Sequence, residues 1–398
     1  MNRFINARVA LIIFSIYLSL AAVGQTLPTG QEVRYNPIST AVPFLTITPD
    51  SRHGAMGDVG VATSPDANSQ YLNPSKYAFT EEKFGFSMSY TPWLRELVND
   101  INLAYLAGYY RIDNNQVIGS SLRYFSMGDI SLTSEDPHSI PITVSPSEFA
   151  FDVSYSRKLS DNLSGGVTLR YIRSDLSGGI GIDTYTAGSA FSTDVSFYYI
   201  NKWGGTGDSK SIAAGINLSN IGSKISYDQG GTKEFLPANM RLGSTFTTEI
   251  DEYNSFSISM DFNKLLVPTP STHYTVDANG GLIVLPDNSS NQSVISSIFG
   301  SFSDAPGGFK EELQEFTVST GAEYWYNKQF ALRAGYFNEA QNKGNRKFFT
   351  AGVGVKMNIA AIDFSYVIPV QQNNPLANTI RFTLLFDIDS FNAKKKDQ

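Results

Sequence analysis

The chain holds three histidines, His53, His138 and His273, and no cysteine. An esterase or lipid hydrolase needs a nucleophile and a base within hydrogen-bond reach, the base oriented by a third group. Ser139 directly follows His138 in DPHSI, and adjacency in sequence does not make such a pair. No G-x-S-x-G nucleophile elbow occurs. No histidine has partners at zinc-ligand spacing, DANSQ (66–70) lacks the remaining ligands of a calcium loop, and the glycines of GGIGID (178–183) have no strand–helix context for a phosphate. The expectation is therefore no enzyme, with no catalytic residue, no cofactor and no metal. A net charge of −7 without a basic aromatic patch also argues against a nucleic-acid partner. The terminal Lys394, Lys395 and Lys396 read as part of a solvated tail.

The informative ionisable residues are those inside alternating segments. In 149–176, FAFDVSYSRKLSDNLSGGVTLRYIRSDL, Phe149, Phe151, Val153 and Tyr155 alternate with Ala150, Asp152, Ser154 and Ser156. After a polar turn, Val167, Leu169 and Tyr171 alternate with Thr168 and Arg170. Alternation gives a strand one apolar and one polar face. Burying Asp152 and Arg170 in a sandwich core would be costly, so the apolar face is the candidate outer surface.

Fourteen segments between 84 and 388 alternate in this way, most of them near the ~9–11 residues that cross a bilayer as a tilted strand. Their links alternate between short turns (RIDNN, KLSDN, IDEY, YNK, NIA) and long ones (128–148, 175–190, 220–239 and 263–313). Outer-membrane barrels have this asymmetry, with short turns on the periplasmic side and long loops outside. Only 17% of residues are charged and 13% are aromatic, against ~25% charged in an ordinary soluble domain. The sequence thus predicts an all-β fold, a 14-stranded antiparallel transmembrane barrel over 84–388 in contact with outer-membrane lipid.

On this phase Arg123, Asp152, Arg170, Asp194, Arg241, Asp261, Glu323, Arg333, Lys356, Asp363 and Arg381 face the lumen. An Arg or Lys facing lipid at the midplane would cost ~2–4 kcal/mol. Mixed signs predict mutual pairing inside. Trp93, Trp203 and Trp325, with Tyr90, Tyr109, Tyr199 and Tyr336, sit at strand margins and are expected to form an interfacial girdle.

The N-terminus reads as a signal peptide over 1–24: Arg3 and Arg8, an apolar run from Val9 to Leu20, then Ala22-Val23-Gly24. Residues 25–83 do not alternate and are expected to form a hatch that fills the lumen as a plug. Residues 389–398 are expected to be a periplasmic tail.

The stretch GAMGDVGVATSPDANSQYLNPS resembles the N-terminal hatch of the FadL family of outer-membrane transporters. Asp66 matches that family's acidic position and Asn73-Pro74 its Asn-Pro pair, whereas Ser75 departs from the usual Ala. Gly54, Gly57 and Gly60 would permit close backbone packing and positive φ. More narrowly, NPISTAVPFLTITPDSRHGAMGDVGVATSPD, GYYRIDNNQVIGSSLRYFSMGDISL, DFNKLLVPTPS and SIFGSFSDAPGGFKEELQEF resemble the PorV family of FadL-type barrels, found in the type IX secretion system of the Bacteroidetes. The resemblance implies a shuttle. It would bind the translocon barrel at its lateral opening, accept secreted cargo by the cargo's C-terminal signal domain, and deliver it to a surface attachment complex with a sortase-like protease. The alternative is a FadL-like transporter of hydrophobic small molecules.

The external connection 263–313 is the candidate working surface, because a structureless loop of that length is uncommon without function. Pro268 and Pro270 stiffen its exit from the wall, and Leu282 to Leu285 form an apolar stretch. Val294, Ile295, Ile298, Phe299 and Phe302 fall at helical spacing, DAPGG breaks the helix, and Phe309 begins another. Ile295, Ile298, Phe299, Phe302 and Phe309 are the candidate partner or cargo contacts.

Overall fold

The computed structural model describes residues 36–387 apart from 133–140, 179–185, 206, 229–230, 232, 271–273, 277–281, 285–290 and 372–373. The expected signal peptide (1–24), the first part of the hatch, the tail (389–398), His138, Ser139, His273 and Leu285 lie outside the described residues.

Among the described residues eighteen strands follow in chain order: β1 Phe84–Pro92, β2 Ile101–Arg111, β3 Gln116–Met127, β4 Ile130–Leu132, β5 Ile142–Val144, β6 Ser147–Lys158, β7 Leu163–Asp175, β8 Gly188–Trp203 and β9 Lys210–Gly222. They continue as β10 Asn239–Glu249, β11 Ser255–Leu265, β12 Tyr274–Val276, β13 Leu282–Val284, β14 Thr317–Tyr326, β15 Phe330–Asn338, β16 Lys347–Met357, β17 Ala360–Pro369 and β18 Ile380–Asp387. Fourteen of these close into one antiparallel barrel, β1 pairing with both β2 and β18, so the wall has no free edge. Two short hairpins, β4–β5 and β12–β13, stand in long connections; neither was foreseen from the sequence. No helix among the described residues is long and apolar enough to cross a membrane.

Links at one end of the barrel are short: 112–115, 159–162, 204–209, 250–254, 327–329 and 358–359. At the other end they are longer, reaching 266–316 between β11 and β14. The expected alternation holds, with boundaries moved by up to three residues at several strands. Residues 314–316 do not extend β14, because Gln314 closes a helix and Glu315 is tied to two lysines.

Side chains follow the period of two. On β6, Phe151, Val153 and Tyr155 are exposed on the outside while Asp152, Ser154 and Ser156 are buried inside. Asp152 is in register with Arg170 on β7, and Glu323 on β14 with Arg333 on β15. Arg170 donates to Asp152 at 2.6 and 3.1 Å and to Asp194 at 2.9 and 3.0 Å. Arg333 donates to Glu323 at 2.7 Å and to Asp363 at 2.5 Å. The inward charges pair only in part: Asp152, Arg170, Asp194, Glu323, Arg333 and Asp363 do so closely. Lys356 sits near the short-turn end on Asp387 at 3.3 Å, only partly enclosed. Arg241 and Asp261 instead bond backbone groups of the interior segment.

The aromatic girdle needs correction. Trp203, Tyr90 and Tyr199 are exposed on the outer face. Tyr109 is buried on the inner face with Tyr105, its ring 5.0 Å from that of Tyr77. Trp325 shares the inward parity of Glu323 and lies 5.5 Å from the Arg333 guanidinium carbon. Trp93 turns over the rim to line an interior cavity. Parity, rather than position at a strand end, decides which way such a ring points.

A barrel of this size leaves room within its wall. Residues 50–80 are almost entirely buried and make hydrogen bonds to inward-facing groups on many strands. Helix α1 (Ser51–Gly54) is capped by the Asp50 side chain and reaches β18, where the Ser51 amide donates to Thr383 at 2.8 Å. The amide of Gly57 donates to Thr350 on β16, and those of Gly60 and Val61 to Asp261 on β11. Helix α2 (Ser69–Leu72) leads to a 3-10 turn, Pro74–Phe79, whose Pro74 carbonyl accepts from Ser156 on β6 at 2.8 Å. Of the three glycines singled out in sequence, only Gly57 takes a positive φ, 70°. A Cβ there would also lie 2.7 Å from the Tyr336 backbone nitrogen on β15.

Candidate functional site

The three motif residues of the N-terminal segment are interior tethers. Asp66 accepts from Arg52 at 2.9 Å and from the Asn68 amide at 2.9 Å. Asn73 accepts from the Ser75 amide, capping the Pro74 turn, and donates to the Val61 and Phe197 carbonyls at 2.8 and 3.0 Å. Arg52, which sequence reasoning passed over, joins Asp66 to Glu323 in the wall.

His53 has the neighbours of a hydrolytic triad. Its Nδ1 lies 2.9 Å from both Asp50 oxygens and its Nε2 3.2 Å from the Thr63 hydroxyl. However, that hydroxyl donates to the Gly60 carbonyl at 3.0 Å and accepts from Lys76 at 3.0 Å. All four side chains are fully buried. The hydroxyl's proton is engaged and no substrate can reach its oxygen. The chain Asp50–His53–Thr63 is a staple within the segment.

The long-connection end is different. Helix α3 (Val294–Gly300) starts at Ser293, whose hydroxyl accepts from the Ser296 amide at 3.2 Å. Val294 and Ile298 pack against Phe235, Ala238, Leu266 and Val267 at the barrel rim. On the opposite side Ile295 is 69% exposed and Phe299 75%. Phe302 is exposed too, and Phe309, the first residue of helix α4 (Phe309–Gln314), is 77% exposed. Of the five candidate contact residues, Ile298 thus turns inward and four turn outward.

Buried charges hold α4 in place. Lys264, at the end of β11, donates to Glu312 at 3.3 Å and to Glu315. Lys343, in the β15–β16 link, donates to Glu311 at 2.6 Å and to Glu315 at 3.0 Å. Thr269 donates to Glu315 at 2.6 Å, and Asn36 to Glu311 at 3.0 Å. Asp304, Glu312 and Glu315 bring three carboxylates within 4.8 Å of one another, a spacing that suits a cation. Here Lys264 supplies positive charge to two of them. Burial raises the Asp304 pKa, helped by the negative charges of Glu315 and Glu312. The repetition of acids in FKEELQE was visible in sequence; its lysine partners, 28 to 51 residues away, and Asn36, 275 away, were not.

Beneath this end lies a cavity of about 440 Å³ whose wall carries ten charged side chains, six basic and four acidic, among polar and apolar residues. Arg123, Arg241, Arg346 and Arg381 line it together with Asp58 and Glu339.

A family model described as "Type IX secretion system protein PorV" matches residues 30–272, more than half of the chain. The chain belongs to the PorV family. That makes it an outer-membrane component of the type IX secretion system. Among solved structures it is similar to the Pseudomonas putida toluene transporter TodX, at 11% identity and a TM-score of 0.49, covering 89% of this chain and 99% of that one. The Ralstonia pickettii toluene transporter TbuX is 13% identical with a TM-score of 0.43, covering 85% and 96%. A Pseudomonas aeruginosa FadL homologue is also 13% identical, with a TM-score of 0.42 and coverages of 89% and 99%. No match was found among curated proteins. The PorV assignment covers the interior segment and the wall up to β11, and it ends just as the connection that carries α3 and α4 begins.

Proposed function

We propose that this PorV-family barrel is a cargo shuttle whose working surface is the outward apolar face of α3 and α4. The cargo's C-terminal signal domain would dock there at the translocon barrel and leave for the sortase-like attachment complex, the long connections facing the cell surface. The observation that carries this reading is the exposure of Ile295, Phe299 and Phe309 on helices fixed to the rim by apolar packing and buried ion pairs. Large apolar side chains held out into water on a rigid support are characteristic of an interaction site. The interior segment, tied to the wall on many sides, would act as a plug, closing the lumen to passage.

A transporter of hydrophobic small molecules would want an apolar pocket within the barrel. The charged wall of the interior cavity favours the shuttle instead.

Photo-crosslinking residues placed at Phe299 and Phe309 in intact cells test the proposal. The expected product joins this barrel to a cargo signal domain, and a variant with Ile295, Phe299 and Phe309 changed to Ser should insert normally yet strand cargo in the periplasm. Normal cargo delivery by that variant, with no cargo crosslinks, would reject the proposal.

A further inference from the structure

The lumen contains two kinds of arginine. Arg170 and Arg333 are each hydrogen-bonded to two carboxylates at 2.5–3.1 Å. Arg170 borders the cavity and Arg346, also in its lining, is paired with Glu339 at 2.8 and 2.9 Å, but Arg123, Arg241 and Arg381 are not satisfied in this way. Arg241 has no ion-pair partner among the described residues, and its one hydrogen bond there goes to the backbone carbonyl of Asp58 at 2.9 Å. Arg381 approaches the Asp58 carboxylate no closer than 3.7 Å, and its Nε and Nη1 have no hydrogen-bond partner among the described residues. Arg123 lies 3.6 Å from Asp152, which Arg170 already engages at 2.6 Å, and donates to the Leu45 carbonyl at 3.1 Å, while its Nε is unpartnered among the described residues. Arg123 and Arg241 stand 5.1 and 5.9 Å from the same Tyr71 ring. The cavity is lined by six basic and four acidic side chains.

Placing Arg123, Arg241 and Arg381 together in a partly enclosed site where no carboxylate of the described residues approaches them closer than 3.6 Å is unfavourable unless something negative joins them. The guanidinium fork suits planar carboxylates and phosphates above other groups. The cavity is open to such a group, since exposed Pro43 and Thr46 line it and the Arg346 side chain is 49% exposed at its rim.

We propose that the cavity is a binding site for an oxyanionic group, a carboxylate or a phosphate, on a polar ligand that enters from the long-connection end. Arg241 is its principal contact and Arg346 the contact at the mouth. Arg123 and Arg381 supply positive potential from the wall behind, and Tyr71 forms the floor. The site is separate from the apolar face of α3 and α4 and does not depend on the shuttle reading.

Trp93 lines the cavity, so its fluorescence can report occupancy. The full chain carrying Trp203→Phe and Trp325→Phe, purified in a non-ionic detergent, would be titrated with inorganic phosphate and separately with glutarate. Sodium chloride would hold the ionic strength constant. A saturable Trp93 response to either anion is expected, and the stronger of the two identifies the preferred group. Arg241→Gln should raise the apparent Kd at least tenfold and Arg346→Gln several-fold, whereas exposed Lys310→Gln should leave it unchanged. If Arg241→Gln does not fold, Arg346→Gln decides. No saturable response to either probe, or the same response in the arginine variants as in the parent, would overturn the proposal.

Discussion

Arg52, in the interior segment, donates to both carboxylate oxygens of Glu323 on β14, at 2.8 and 3.0 Å, with both side chains buried. The same guanidinium reaches Asp66 and the Ser64 carbonyl, so one side chain fixes the fold of the segment and its attachment to the wall. Without Arg52, Glu323 would keep Arg333 at 2.7 Å, but Asp66 would lose its Arg52 ion pair, and breaking a buried pair costs up to ~3–5 kcal/mol. Arg52→Ala is therefore expected to loosen residues 36–80 while the barrel stays closed. Limited proteolysis should cut that segment much faster, and the heat-dependent gel shift of the folded barrel should persist. Unchanged proteolysis would show that the backbone contacts of the segment suffice without Arg52.

Asp66 gives this attachment a pH dependence. Burial pushes its pKa upward, but the charge of Arg52, with smaller contributions from His53 and Lys76, outweighs this and holds it at about 2. The folded value lies below the unfolded one, so the stabilisation is fully present above pH ~4 and is lost as pH falls through about 2. A difference of this size corresponds to ~2 kcal/mol. Pepsin sensitivity of the segment should rise only near pH 2, and in Arg52→Gln it should begin nearer pH 4. Identical acid profiles for the two proteins would argue that Asp66 is held by something other than Arg52.

Much of the wall could be read directly from the chain, and the reason is visible in Asp152 and Arg170. They lie on one face of a hairpin whose four-residue turn, 159–162, fixes the register, so alternation alone makes them neighbours. Arg52 gave no such signal. It sits in a segment without periodicity, and its partner Glu323 is 271 residues away. Lys264 and Lys343 were hidden for the same reason, since loop packing brings them to Glu315. The outward face of α3 was legible from helical spacing. Its inward turn at Ile298 was not, because that depends on Phe235 and Leu266 at the rim.

Lys264 is the anchor most worth removing. It is fully buried between Glu312 and Glu315, with the rings of Phe302 and Phe316 5.7 and 5.5 Å away. Lys264→Met keeps the length of the side chain but leaves two carboxylates facing each other at the rim. The expected result is faster hydrogen exchange across 294–316, by tenfold or more, with exchange in the barrel strands unaltered. Equal exchange in both proteins would mean that Lys343 alone holds α4.

Gly57 tests the closeness of segment and wall. Its φ of 70° disfavours any side chain, and a Cβ would meet the β15 backbone at Tyr336, which cannot rotate away. The reverse approach is equally tight, because a Cβ on Gly335 would strike the Gly57 nitrogen. Gly57→Ala should destabilise by ~1–3 kcal/mol, seen as a lower unfolding midpoint in detergent. Gly205→Ala, at a site with open space around it, is the control and should have little effect.

Ile298 and Phe299 are adjacent on α3 yet face opposite ways, one into the rim cluster and the other into solvent. Ile298→Ser removes packing and should release the helix, raising hydrogen exchange over 294–300. Phe299→Ser removes nothing that the barrel itself uses, so its exchange and unfolding midpoint should match the parent. Cargo capture, measured by pull-down with a cargo signal domain, should nevertheless fall several-fold in Phe299→Ser. If Phe299→Ser captures cargo as well as the parent while Ile298→Ser loses it, the helix acts through the shape of the rim and its exposed aromatic face is not the contact.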